Sequence, residues 1–207
     1  MTSATVHVID DDELVRTALA RLLRLAGYEV RSYASAGEFL LEPPPAAPGC
    51  LVLDVRMPGP SGLDLQDALA RRAGSLPIVF MSGHGDIPMS VRAVKAGAVD
   101  FLTKPLKEAD LIRAIQAAIA QDRIARRQRA ELAELRRRLT SLTPREREVL
   151  PLIVSGLLNK QAAVELGISE ITVQIHRGRI MTKMGAGSFA ELVRMAGTLA
   201  IPLHPAG

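Results

Sequence analysis

The pattern of apolar runs in this 207-residue chain predicts two folds in series. The first is an α/β domain, a doubly wound parallel sheet of the (βα)5 kind, and the second is a small all-α domain of four helices. Three observations predict this. Five short runs rich in Val, Ile and Leu alternate with amphipathic segments through about residue 120. Acidic and basic side chains recur where those runs stop. Beyond residue 140 no strand pattern remains, only a series of helix-start signals.

The strand runs are 6–10, 29–33, 50–55, 77–82 and 99–103, and the segments between and after them, 13–26, 36–42, 62–73, 87–96 and 107–121, carry the 3.6-residue period of an amphipathic helix. Such βα alternation implies a parallel sheet covered by helices on both faces. Gly27, Gly74 and Gly97 each fall just past a helical pattern, where a left-handed C-terminal cap is cheap. The acids Asp12 and Glu13 suit the positive end of the first helix. The proline-rich segment 43–49, PPPAAPG, reads as an exposed loop before the third strand.

Residues 107–142 read as one extended helix. It is apolar at Leu111, Ile112, Ile115 and Ile119, then strongly polar, then apolar again at Leu132, Leu135, Leu139 and Leu142. That last 3-4-3 spacing suits a short coiled seam in a dimer. The arginines at 123–129 and 136–138 read as a solvated face, with a contribution to attracting DNA as the alternative. Thr143-Pro144-Arg145-Glu146 is a capping box with Pro at the first helical position, and Gly156 ends the helix it opens. Asn159 is the expected cap of a second helix, KQAAVEL, ending at Gly167. Ser169 caps a third reaching about Met184, and Ser188-Phe189-Ala190-Glu191 is a further capping box. A short helix, a glycine-containing turn and a longer helix make a helix-turn-helix. The expected divisions are 1–120 for the α/β domain, 121–140 for a helical linker and 141–207 for the helix-turn-helix domain.

Composition narrows the class. The chain is 48 % hydrophobic with no Trp, two Tyr and four Phe, so its cores are expected to be aliphatic. No apolar stretch approaches a membrane span, and no secretory leader pattern opens the chain. The single Cys50 excludes a disulfide within one chain and fits a reduced cytoplasm; it reads as a core thiol. Charge is uneven: residues 1–120 hold 12 basic and 14 acidic side chains, residues 121–140 hold 7 and 3, and residues 141–207 hold 7 and 5. The basic excess therefore sits in the linker and the second domain.

Open parallel sheets carry functional groups at the carboxyl ends of their strands. Asp10 and Asp11 stand at the end of the first run, Asp54 at the end of the third, Ser82 closes the fourth, and Lys104 follows the fifth. Three carboxylates and an ammonium at one edge suit a divalent cation together with an anionic group. Mg²⁺ takes oxygen ligands and keeps several waters, so Asp10, Asp11, Asp54 and the backbone carbonyl of Arg56 would suffice. A screened Asp54 carboxylate can attack a phosphoryl donor, with Lys104 neutralising the phosphoryl oxygens and Ser82 donating a hydrogen bond. A plain helix-cap role would account for Asp10 or Asp11 alone, but not for Asp54, Ser82 and Lys104-Pro105 at the matching strand ends.

Through IDDD, LVLDVRMPGPSGLDL, PIVFMSGHGD and AVKAGAVDFLTKP, residues 5–120 resemble the receiver domain of two-component response regulators. The resemblance implies that Asp54 is the phospho-acceptor, Asp10 and Asp11 the magnesium acids, Ser82 the switch hydroxyl and Lys104 the phosphate-contacting lysine. Phe101 matches the aromatic that changes rotamer on phosphorylation, and it reads equally as a core residue of the last strand.

On the third helix of the second domain, at 100° per residue, Val173, Ile180 and Met184, with His176 and Arg177 at the margin, share one side. They are expected to pack against Val164, Leu166 and Leu192. Ile171, Gln174, Ile175, Gly178, Arg179 and Thr182 share the other side, where two isoleucines among polar groups suit a DNA major groove. Thr172 lies beside them at the helix start. Lys160, Arg177 and Lys183 are expected to hold phosphates. Burial of Ile171 and Ile175 against a partner protein is the alternative.

The string LTPREREVLPLIVSGLLNKQAAVELGISEITVQIHRGRIMTKM resembles the DNA-binding output domain of the NarL/FixJ (LuxR-type) family. Gln174 stands where a lysine is common there, and Leu158 replaces a frequent Ser or Thr. Together the two resemblances imply a phosphorylation-activated transcription regulator and not an enzyme. Its partners would be a sensor histidine kinase, double-stranded promoter DNA, RNA polymerase and, through residues 86–106, a second copy of the chain. Two rivals stay open at the level of sequence. An aspartyl phosphohydrolase would want an acid where Arg56 stands, and a phosphate-independent DNA binder would keep the first domain only for dimerisation.

Overall fold

The computed structural model describes residues 4–43, 45–72, 74–83 and 87–204. Two compact units make up the chain, Met1–Arg126 and Arg127–Gly207. In the first, strands β1 (Thr5–Ile9), β2 (Glu29–Tyr33), β3 (Gly49–Asp54), β4 (Ile78–Ser82) and β5 (Asp100–Thr103) form one parallel sheet in the order β2-β1-β3-β4-β5. The three inner strands are buried throughout, which is why they are continuous apolar runs, whereas the edge strands β2 and β5 are partly exposed.

Alternate residues of each strand face opposite layers. Ile9, Leu51, Leu53 and Phe80 pack with residues of α2 (Ala36–Leu41), α3 (Gly62–Ala70) and α4 (Ile87–Lys95), among them Phe39, Leu65 and Ala93. Val8, Val52, Val79 and Met81 pack with Leu19 and Leu23 of α1 (Glu13–Leu25) and with Leu111, Ile115 and Ile119 of α5 (Glu108–Thr140). Every predicted strand and helix of this unit is present. The main difference in length is α3, which stops at Ala70 instead of 73. Cys50 is fully buried, and burial pushes its thiol up to about 12, as a core thiol requires.

Asp12 caps α1, accepting hydrogen bonds from the amides of Leu14 and Val15 at 2.8 and 3.3 Å. Ser61 and Asp64 form a reciprocal capping box at the start of α3. There the helix presses on the sheet: a β-carbon added to Gly62 would lie 2.4 Å from the carbonyl oxygen of Asp54. Only glycine lets α3 begin this close to the end of β3.

Two expectations need correction in this unit. The segment 43–49 is not simply an exposed loop. Pro44 lies outside the described residues, but Pro45 and Pro48 are half-buried and Gly49 already belongs to β3. Nor is every arginine at 123–129 solvated. Asp122 is fully buried and accepts from the Gly49 amide at 3.0 Å and from Arg126 Nε at 2.6 Å. Arg126 also donates to the carbonyls of Ala46 and Pro45, at 3.0 and 2.9 Å. A charge cluster written as helix surface in fact ties α5 to the base of β3.

The second unit contains α6 (Pro144–Val154), α7 (Asn159–Leu166), α8 (Glu170–Met184) and α9 (Phe189–Thr198). Its core holds Val149, Leu150, Ile153, Val173, Ile180, Met184 and Leu192. Leu142 is buried in the same core and Leu139 packs against it, so half of the predicted coiled seam is already committed within the unit. The Thr143 capping box forms as expected. Asn159 does not cap α7: Leu158 occupies that position, its amide donating to Gln161 Oε1 at 2.8 Å, while Asn159 accepts from Arg177. Ser188 caps α9, but Glu191 reaches back to the amide of Gly187 and not to Ser188. Val164 is 78 % exposed and takes no part in the packing of α8, unlike Leu166 and Leu192.

Candidate functional site

Register assembles the first site. Ile9 pairs with Leu53, so the residue after β1, Asp10, lies beside Asp54 at the end of β3. Ser82 pairs with Thr103, which brings Lys104 to the same edge. The Lys104 ammonium donates to Asp10 Oδ2 at 2.8 Å and to Asp54 Oδ2 at 2.5 Å. Asp10 and Asp54 are buried and Asp11 is exposed, yet one oxygen of each lies within 4.8 Å of the others.

Further bonds fix the carboxylates. The amide of Asp12 donates to Asp10 Oδ1, and the amide of Arg56 to Asp54 Oδ1, both at 2.9 Å. Arg56 thus joins the site through its backbone, while its side chain is exposed. Burial raises the pKa of Asp10, and the neighbouring Asp54 charge adds to this; the bonds from Lys104 and Asp12 oppose it. Burial works against the charged form of Lys104, but its bonds to Asp10 and Asp54 outweigh that and raise its pKa. Ser82 is fully buried, and its carbonyl accepts from the Lys104 amide at 2.7 Å. Phe101 is half-buried with its ring 6.2 Å from that of Phe80, a core residue whose strand neighbours the site.

Chemically, one cation holds two buried anions beside a third that faces water. Three carboxylates this close fit a hard, oxygen-seeking ion of the magnesium kind. A phosphoryl group brought to the Asp54 oxygens would meet an ammonium already aimed at them.

The second candidate surface is on α8. Val173, Ile180 and Met184 are buried, whereas Ile171 and Ile175 are 71 % and 49 % exposed and Gln174, Gly178, Arg179 and Thr182 are exposed with them. The predicted division of faces therefore holds. The hydroxyl of Thr172 lies 2.8 Å from Ser169 Oγ, engaged in the cap that starts the helix. A β-carbon at Gly178 would meet nothing within 4 Å, so this glycine leaves open space on the exposed face.

The three expected phosphate holders differ. Lys160 is exposed. Arg177 lies 4.3 Å over the ring of Phe189 and donates to Asn159 Oδ1 at 3.4 Å. Lys183 pairs at 2.7 Å with Glu146, which is almost fully buried. Burial opposes the charge of Glu146, but the bonds from Lys183 and Thr143 prevail and lower its pKa. Sequence reasoning identified Glu146 as a cap and missed its pairing with Lys183, 37 residues away. It missed Arg138 as well, which donates to the carbonyl of Met184 at 2.9 Å. His176 is half-buried, and its Nδ1 has no partner among the described residues.

Comparisons with known proteins cover the segments that carry both surfaces. Residues 6–116 match the response regulator receiver domain, and residues 140–196 match the bacterial regulatory proteins of the luxR family. Nodulation protein W of Bradyrhizobium diazoefficiens is 50 % identical over 200 residues, covering 97 % of this chain and 88 % of that protein. The transcriptional regulatory protein FixJ of Azorhizobium caulinodans is 47 % identical over 194 residues, covering 94 % of this chain and 92 % of that protein. Among solved structures, response regulator StyR superposes with a TM-score of 0.83 at 48 % identity, over 95 % of this chain and 99 % of that one.

Proposed function

Because the chain belongs to the response regulator family, with a receiver domain followed by a LuxR-type DNA-binding domain, we propose that Asp54 accepts a phosphoryl group from a sensor histidine kinase and that the modified chain regulates transcription from promoter DNA as a dimer. The observation that carries this reading is the Lys104 ammonium held between Asp10 and Asp54, with Asp11 beside them, at the carboxyl edge of the sheet. We take residues 1–120 as the receiver, 121–140 as the linker and 141–207 as the DNA-binding domain.

In the transfer, an Asp54 carboxylate oxygen bonds to phosphorus as the P–N bond of a phosphorylated imidazole breaks. The electron pair stays on the imidazole nitrogen, and the product is an acyl phosphate. Asp10, Asp11, Asp54 and the backbone carbonyl of Arg56 would hold Mg²⁺, whose part is to offset the negative charge gathered between carboxylate and phosphoryl group. The bond from the Arg56 amide orients Asp54. Lys104 follows the transferred oxygens, and Ser82 donates a hydrogen bond to one of them. That rearrangement draws on the packing beside Phe101 and alters the surface of residues 86–106, of which Asp86 lies outside the described residues. Ile87, Val91 and Val94 expose an apolar stripe on α4 that supports a dimer contact there. Phosphorylation then acts as a population shift toward the paired form, and two linked DNA-binding domains bind more tightly than one.

On DNA, Ile171, Gln174, Ile175, Gly178 and Arg179 face the base edges, with Thr172 at the helix start, while Lys160, Arg177 and Lys183 serve phosphates. RNA polymerase is the downstream partner and the cytoplasm the site of action. Among the described residues, no helix is long and apolar enough to cross a membrane.

The test is intact mass after incubation with Mg²⁺ and a small phosphodonor, with Asp54→Asn alongside. One phosphoryl adduct on the wild type, missing in the variant, is expected. A folded wild type that gains no adduct refutes the phospho-acceptor reading.

A further inference from the structure

The carboxyl end of α8 is held by a side chain from α5. Arg138 donates through one terminal nitrogen to the carbonyl of Met184 at 2.9 Å, and its Nε donates to Glu134 Oε1 at 2.8 Å. A guanidinium at this position meets the negative end of the α8 dipole and a carbonyl of its last turn that lies beyond the reach of the helix's own amides. Gly185, at φ +68°, makes room: a β-carbon there would lie 2.6 Å from the same Arg138 nitrogen. Arg137 also donates to Glu134, at 2.8 and 2.9 Å, so the acceptor that anchors Arg138 is itself held. The bonds from Arg138 and then Arg137 lower the pKa of Glu134 and keep it charged. One residue further along, Leu139 packs on the core of the unit, and Leu142 is buried in it, which fixes the turn that carries Arg138.

We propose that Arg138, anchored by Glu134, is a positioning residue for the base-reading face of α8. The inference rests on the DNA-binding reading above. The amino end of α8 is set by the Ser169 cap, and its middle by Arg177 against Phe189. At the far end Arg138 adds to the hold of the buried Met184 side chain and the Lys183–Glu146 pair, and with them sets the tilt at which Gln174, Ile175 and Gly178 enter a groove. Base-edge hydrogen bonds fail with shifts of a few tenths of an ångström to one ångström, whereas flexible phosphate contacts tolerate them. Losing the hold should therefore reduce discrimination between sequences more than it reduces affinity for DNA as such.

A plainer role is a direct phosphate contact by Arg138, and the two make opposite predictions. The full-length chain, treated with Mg²⁺ and phosphodonor, is titrated with a duplex enriched from a random library by the wild type and with a scrambled duplex of equal length, across a range of salt. Positioning predicts that Arg138→Ala weakens binding to the enriched duplex about tenfold, the scale of one charge-assisted hydrogen bond, while the scrambled duplex changes less than about twofold. The salt slope stays the same, and Arg138→Lys recovers part of the loss. Glu134→Gln, at a half-exposed position that leaves the core intact, should reduce discrimination in the same direction. It keeps the inference testable if Arg138→Ala folds poorly. Equal weakening of both duplexes with a salt slope lower by about 0.9 assigns Arg138 to a phosphate and overturns the proposal. An unchanged ratio in both variants overturns it too. A wild type that enriches no duplex defeats the DNA-binding reading itself, and this inference with it.

Discussion

Replacing Asp122 by alanine should destabilise the first unit strongly, although the residue lies far from the acid cluster. Its carboxylate is fully buried and accepts from the Gly49 amide and from Arg126. Alanine strands a buried N–H, which costs about 1–3 kcal/mol. It also leaves Arg126, with a side chain only 24 % exposed, without its anion. Breaking one side of such a buried pair brings the total to about 3–5 kcal/mol. At roughly 4 °C for each kcal/mol, the midpoint should fall by roughly 12–20 °C. Asp122→Asn keeps an acceptor for Gly49 and loses only the charge, so its shift should be about half as large. Both tyrosines of the chain, Tyr28 and Tyr33, belong to this unit, so thermal unfolding followed by tyrosine fluorescence reports it alone. A fall below about 2 °C for the alanine variant would refute the account of Asp122 as a buried tie between α5 and β3.

Other expectations follow from the same packing. Gly62→Ala drives a methyl group into the carbonyl of Asp54 and the side chains of Leu53 and Phe80, and should lower stability by about 1–3 kcal/mol and slow phosphoryl uptake in the mass assay. His7 is buried beside Tyr33 and Phe39, and burial, helped by Arg31, lowers its pKa from 6.5 to about 4. Between those values the unfolded chain binds a proton that the folded chain refuses, so stability falls as pH drops from about 6.5 to 4, by up to about 3 kcal/mol. His7→Phe should flatten this part of the pH profile of urea unfolding. In the second unit, Glu146→Gln should cost about 2 kcal/mol by leaving Lys183 without its buried partner, read as faster amide exchange in α6 and α8. Because its folded pKa is depressed, the stabilisation from Glu146 should persist above about pH 4.5 and be lost as pH falls through the lower folded value.

What the sequence made legible followed from periodicity and from strand ends. A strand buried on both faces must be an apolar run, so β1, β3 and β4 announced themselves, and the residues after them had to share an edge. The faces of α8 followed in the same way from a 100° rotation per residue. Side-chain partners far apart in the chain did not. Asp122 and Arg126 look like any i, i+4 surface pair, and nothing near them indicates that Gly49, 73 residues earlier, needs an acceptor. Arg138 sits in a run of three arginines whose spacing alone suggests solvent. Asn159 is a good cap by residue type, but a reciprocal bond from Gln161 to Leu158 starts α7 one residue sooner. Leucines at 3-4-3 spacing fit a coiled seam or a domain core equally, and here Leu139 and Leu142 went to the core.

Lys104 reaches from the edge strand past the end of β4 to partners 50 and 94 residues earlier. Until β5 docks, Asp10, Asp11 and Asp54 repel one another without the ammonium that bridges two of them. The last strand to leave the ribosome in this sheet is therefore the one that relieves the electrostatic strain of those before it. A chain cut before β5 would lack Lys104 altogether, so on the proposed function the readiness of Asp54 would report that the sheet of the first unit has closed, while the second unit is still to be made.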